Sequence, residues 1–240
     1  MKLFQLFVSL FLSLFFVHAQ AYDALKFQAI VKQLQVKHIE SIDLVTEASL
    51  PNKKLSVWIL IEKMSENKIG YKTYTVHILV TDTENKILAS NVTIGNYEDE
   101  LSAAKIDVAN YQLNDNTRAF GVRLTTERLS RAFGYSSEKF NLFVYHEGVL
   151  KKVLNDFEVY SSNKHEMFDN CEGAWDETKT ILIMLDKKTN NYNNILAKTQ
   201  FSGHAYDGKK DGAGNCKESV TRKTSSKTFT FDGSVYVEQR

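Results

Sequence analysis

Five histidines and two cysteines stand beyond the first twenty-odd residues: His38, His77, His146, His165, His204, Cys171 and Cys216. Metal chemistry needs such ligands in a set spacing. No two of these histidines fall at the helical interval that aims both at one ion, and His165-Glu166 lacks the second histidine of a HExxH helix. Phe168-Asp169-Asn170-Cys171-Glu172 holds ligand types without a ligand rhythm. Nucleophilic chemistry fares no better. Ser202-Gly203-His204 sets a hydroxyl near an imidazole, but no GxSxG elbow occurs anywhere. Acids are abundant, yet no pattern selects the pair that glycoside hydrolysis requires. The stretch Asp207-Gly208-Lys209-Lys210-Asp211-Gly212-Ala213-Gly214-Asn215 resembles a calcium loop only superficially. It lacks the alternating ligands and terminal glutamate of an EF-hand and reads as a glycine-rich connection between strands. No phosphate-cradling GxxxxGK or GxGxxG is present. The residues therefore assign no metal, no cofactor and no catalytic group.

The cysteines carry a different chemistry. An isolated pair without CxxC is most simply a disulfide in an oxidising compartment. It would close a loop of about 45 residues, which the chain-entropy account values at roughly 4 kcal/mol. Charge is segregated around it. Residues 156–177 hold seven acids against Lys164, and residues 209–227 hold six cations against Asp211 and Glu218. Cys171 lies in the first stretch and Cys216 in the second, so a bond between them should bring opposite charges together. Trp175 sits in the acidic stretch, where an exposed aromatic ringed by charge would serve as an interface anchor, or where the ring would pack on the disulfide. Lys209, Lys210, Arg222 and Lys223 complete the candidate recognition surface. A second candidate is the local echo Arg118-Ala-Phe-Gly-Val and Arg131-Ala-Phe-Gly-Tyr, which would present Arg118 and Arg131 on matched loops.

The compartment is written at the N-terminus. Lys2, the apolar run Leu3–Val17 and Ala19-Gln20-Ala21 have the order of a secretory signal peptide cleaved after residue 21. The run is shorter than the roughly 20 residues that span a bilayer, and no basic stop-transfer cluster follows. No later segment is apolar enough to span, so the expected product is periplasmic or secreted. Asn91-Val92-Thr93 is a glycosylation sequon, meaningful in a eukaryotic exporter only. Across 240 residues, 30 Lys and Arg balance 29 Asp and Glu. No global charge excess recruits nucleic acid or anionic lipid.

The elements that must position these residues are mostly strands. Asp23 can cap a short helix over 23–35, with Phe27, Ile30, Val31 and Leu34 at helical spacing. Ser56–Ile61 is a β-branched and aromatic run. Tyr71–Val80 alternates, and its face of Tyr74, Val76, Ile78 and Val80 should meet the core. Asp82-Thr83-Glu84-Asn85 predicts a turn into Lys86–Ala89. Strands are expected at Ile106–Leu113, Ala119–Leu124 and Asn141–Tyr145, with Thr180–Leu185 as a central one. Glu147-Gly148 and Asp232-Gly233 are hairpin signals, the latter between Thr228–Phe231 and Val235–Val237. Many short strands without regular helix alternation define a β-rich chain, all-β or α+β. The expectation is an antiparallel sandwich or barrel-like domain with a short N-terminal helix. It forms one domain over 22–240, with a disulfide-closed subregion at 156–240. The functional expectation is an exported, non-catalytic binding protein, of the inhibitor or immunity type, that blocks another protein of the envelope. The alternatives are a secreted or periplasmic hydrolase with an unrecognised site and a structural envelope component.

Overall fold

A computed structural model describes residues 23–35, 42–51, 53–66, 72–97, 100–128, 133–168 and 171–239. The leader-like segment, His38, Arg131 and Asp169-Asn170 lie outside them. Among the described residues one helix, α1 (Ala24–Leu34), precedes twelve strands. These are β1 (Ile42–Ser49), β2 (Ser56–Glu66), β3 (Lys72–Thr81), β4 (Ile87–Tyr97), β5 (Glu100–Asn114) and β6 (Thr117–Arg128). They continue as β7 (Tyr135–His146), β8 (Val149–Phe168), β9 (Glu172–Thr189), β10 (Tyr192–Lys210), β11 (Cys216–Phe231) and β12 (Tyr236–Glu238).

The order within the sheets is the order in the chain. β1 to β4 form one four-stranded sheet and β5 to β12 an eight-stranded one, antiparallel throughout. Short turns make this possible. Glu147 and Gly148 both have positive φ, 46° and 81°, the requirement of a two-residue turn that matches strand twist. Asp82 closes the β3–β4 turn by accepting from the amides of Glu84 and Lys86. Asp232 does the same between β11 and β12, through the amides of Ser234 and Val235. The sandwich alternative is the one adopted. The large sheet stays open, since β5 and β12 are its edges and do not pair.

The core explains the layering. Val57, Ile59 and Ile61 of β2, with Tyr74, Val76, Ile78 and Val80 of β3, pack on Ile106, Phe120, Val122, Leu124 and Phe143 of the large sheet. The alternation in β3 therefore points where the sequence said. Its other face is not solvent-facing, however: Leu79 is fully buried and Thr75 nearly so. α1 causes this. Asp23 caps it through the amides of Leu25 and Lys26, and Ile30 and Val31 bury against Trp58, Leu60 and Leu79. The small sheet is a middle layer, and a strand buried on both faces cannot show a clean alternation.

The large sheet curls on its far side over a second core. Leu113, Phe140, Leu142 and Val153 meet Ile195, Ala197, Phe229 and Phe231 there. Bulges in β5, β7–β8 and β9–β10 supply the bend. Beyond this core, β8 to β11 continue outward as long strands of 16 to 20 residues. Thr180–Leu185 lies mid-sheet as expected, but Ile181 is 60% exposed, since past this point only one layer remains.

Candidate functional site

The strands that leave the core form an arm. Its ladder is regular enough to read in rows. Lys164, Trp175, His204 and Val220 stand side by side on β8, β9, β10 and β11, and Ser162, Glu177, Ser202 and Arg222 form the next row on that face. Asn163, Asp176, Gly203 and Thr221 form a row on the opposite face, followed by Ser161, Thr178, Phe201 and Lys223. At the tip, Cys171 is bonded to Cys216 with their Cα atoms 5.3 Å apart, and the Gly208 amide donates to the Cys171 carbonyl. The bond ties the β8–β9 turn to the first residue of β11, across the end of β10.

With little apolar burial, polar side chains organise both faces. Trp175 and His204 stack with ring centroids 3.7 Å apart and planes 11° from parallel. His204 Nδ1 lies 2.6 Å from Glu218 Oε1, and the Tyr206 hydroxyl donates to the same oxygen at 3.1 Å. Hydrogen bonding to His204 holds the Glu218 carboxyl below its ordinary value, with Tyr206 and the charge of Arg222 acting in the same direction. On the other face, His165 Nε2 and Asp176 Oδ2 are 2.7 Å apart, and Asn163 donates to the second oxygen of Asp176. Lys179 pairs with Glu177 at 2.7 Å. At the tip, Lys209 pairs with Asp207, and Asp211 closes the β10–β11 turn by accepting from the amides of Ala213 and Asn215. The calcium-like stretch is thus a strand end and a tight turn.

The arm gathers most of the candidate residues. Trp175, Lys209, Lys210, Arg222 and Lys223 all lie on β9 to β11, with Arg222 and Lys223 on opposite faces. The indole of Trp175 is half-buried, and its ring contact is His204. Arg118 stands apart. It is at the start of β6, at the end away from the arm, and donates to the carbonyls of Val108 and Ala109. Its partner in the sequence echo, Arg131, is outside the described residues.

The expected meeting of acidic and basic stretches is corrected. β10 lies between β9 and β11, and strands about 4.8 Å apart leave the two sets roughly 10 Å from each other. Among the described residues no ion pair joins an acid of 156–177 to a cation of 209–227; the arm's pairs are made within one strand or between adjacent strands.

Among the described residues the most elaborate ionic network lies elsewhere and has no sequence signature. Arg123 on β6 binds Asp107 at 2.8 Å and Glu138 at 2.6 Å, with its guanidinium 5.1 Å from the centroid of Phe140. Asp107 also accepts from the Ala109 amide and the Tyr111 hydroxyl. Burial alone would raise the Asp107 carboxyl. The Ala109 amide, Arg123 and Tyr111 outweigh it and leave the group below its ordinary value. Burial, and then the Asp107 charge, push the Tyr111 hydroxyl up. Arg123 holds the carboxylates of Asp107 on β5 and Glu138 on β7 at once, so the network locks β5, β6 and β7 together. Gly121 permits this contact, because a Cβ there would collide with the Phe140 ring.

Among the described residues, no three His, Cys, Asp or Glu side chains converge as a metal site would require. Ser202 and His204 share a face, but no hydrogen bond joins them among the described contacts. A groove of about 610 Å³ is lined by His146, Glu147, Lys151, Asn190, Tyr192 and Phe231 and lies at the end of the sheet away from the arm. No helix among the described residues is long and apolar enough to cross a membrane. Comparison of the chain with family models, curated proteins and solved structures finds no match in any of the three.

Proposed function

We propose that this is an exported, non-catalytic binding protein whose recognition surface is the disulfide-tied arm, and that it acts by occupying another protein of the envelope or extracellular space, as an inhibitor or immunity-type protein does. The observation that carries the reading is the arm itself. Twelve consecutive residues of β11, 216–227, are exposed and contribute nothing to either core, yet they are held in register by a disulfide and cross-strand polar contacts. Ordering such residues costs roughly 1–2 kcal/mol each in backbone entropy. A rigid, charged, solvent-facing sheet offers a partner a surface whose ordering cost is already met. The disulfide favours an oxidising compartment, in agreement with the leader-like N-terminus.

The test is kinetic. With the partner captured from the native extract by the mature chain, neutralising Lys209, Lys210, Arg222 and Lys223 together slows association, because exposed charges act on encounter. Trp175→Ala speeds dissociation, because a packed aromatic acts after docking. Both leave the thermal midpoint within about 2 °C. Unchanged kinetics in both variants would remove the arm from consideration, and unaided hydrolysis of an envelope substrate would replace binding with catalysis.

A further inference from the structure

The outer edge of β11 is open over most of its length. β10 pairs with one side of the strand along its length, but β12 covers the other side only at Phe229, Thr230 and Phe231. Residues 216–227 therefore present an unpartnered row of amides and carbonyls, roughly 40 Å long at strand rise. Such an edge templates another strand unless something prevents it. Four cations stand on it, Lys217, Arg222, Lys223 and Lys227, against the single carboxylate of Glu218. Glu218 is engaged by His204 and Tyr206, and Lys227 by Glu238 at 2.9 Å. Lys217, Arg222 and Lys223 enter none of the described ion pairs.

These charges decide which strand can dock. Two copies overlapping fully along the edge would oppose Lys217 to Lys227 and Arg222 to its own counterpart, and like charges directly opposite are destabilising. A strand bearing carboxylates meets the reverse situation. Resting on the binding reading above, we propose that the β11 edge takes up an extended acidic segment of the partner protein as an added antiparallel strand. Backbone bonds would supply the affinity and the cations the selectivity. The pattern it must carry follows from the ladder. Arg222 and Lys223 project to opposite faces, so the segment needs acids at two consecutive positions, one for each face. Val220, 40% exposed, lies on the same face as Arg222 two residues away. Read from its N-terminus, an antiparallel segment is therefore acid, acid, any residue, apolar, opposite Lys223, Arg222, Thr221 and Val220 in turn.

A fluorescein-labelled peptide of about twelve residues with Glu-Asp-Thr-Val at its centre is the probe, titrated by anisotropy into the full mature chain. Binding is expected to saturate. It should weaken at least tenfold in the Arg222→Ser/Lys223→Ser variant, with an unchanged thermal midpoint, and on raising NaCl from about 50 to 500 mM. N-methylating alternate peptide amides in one phase should abolish binding, whereas the other phase should leave it within about threefold, because only every second amide faces a neighbouring strand. No saturation at about 1 mM peptide, equal effects of the two phases, or indifference to the double variant each overturns the edge assignment. So does a salt-resistant dimer of the protein alone, in sedimentation velocity, that the peptide cannot displace. The arm reading fails separately. If partner capture responds to Trp175→Ala but not to Arg222→Ser/Lys223→Ser, the arm stands and the edge does not; if it responds to neither, both fall.

Discussion

The body of the large sheet and its arm are made of the same strands, and they are stabilised by different physics. In β7, Phe140, Leu142 and Phe143 are fully buried between two cores, and each large apolar side chain removed from water contributes about 1.5–3 kcal/mol. In β11, residues 216–227 are all exposed, and what fixes them is the ladder to β10, the Cys171–Cys216 bond and contacts such as Trp175 on His204. The difference teaches that strand pairing alone does not report stability. A segment can be as regular as the core while depending on one covalent tie.

Breaking the body should have the largest effect. Phe143→Ala removes a ring stacked on Phe120 at 5.8 Å and should cost about 3–5 kcal/mol, lowering the denaturation midpoint of the whole chain, arm included. Breaking the tie comes next. Cys171→Ser should cost about 2–4 kcal/mol, and native-state amide exchange should localise the loss. Protection should fall over 172–180 and 200–224 and persist over 56–61. Equal loss in both regions would show that arm and body unfold as one unit, which erases the contrast.

The ionic network sharpens the body side. Arg123→Met strands the Asp107 carboxylate and should cost about 2 kcal/mol at neutral pH. Because the folded-state value of Asp107 is depressed below its ordinary 3.8, the stabilisation is complete above that value and is lost as pH falls through the depressed one. The variant and the parent should therefore converge in urea midpoint near the acid limit of folding. A gap that persists unchanged down to about pH 2 would assign the loss to packing on Phe140 instead. The smallest effect belongs to the arm face. Trp175→Ala should change stability by less than about 1 kcal/mol, because the ring is only partly buried and its ring contact is a single imidazole. A loss above about 2 kcal/mol would make Trp175 a packing residue and weaken its role as an anchor.

Local rules carried a good share of the fold. Asp23 and the spacing of Ile30 and Val31 specify α1, Glu147-Gly148 and Asp232-Gly233 specify their turns, and the period-two face of Val76, Ile78 and Val80 specifies which side of β3 meets the large sheet. The strands of the arm were legible only at their apolar ends. Thr180–Leu185 and Thr228–Phe231 read as strands, whereas the polar stretches joined to them, 172–179 and 216–227, read as charged surface, because strand periodicity is a pattern of burial: 216–227 are exposed throughout and 173–178 are uniformly half-buried, with no alternation to read. The site was visible as composition: two cysteines, a tryptophan among acids, and a cationic run. Its geometry was not. Nothing in the chain states that Trp175 faces His204, 29 positions away, or that β10 separates the acidic strand from the basic one.

By itself, then, the sequence determined what depends on neighbours along the chain: helix cap, turn conformations, the apolar face of each half-buried strand, and a cysteine pair suited to bonding. Tertiary structure decided what depends on residues far apart meeting. It made the small sheet a middle layer by laying α1 over Trp58 and Leu79, assembled Asp107, Arg123 and Glu138 from three strands, and left the β11 edge without a neighbour where β12 stops after three residues. The physical reason is that a side chain's burial and an edge's exposure are properties of what lies opposite, which the local pattern of a strand does not encode.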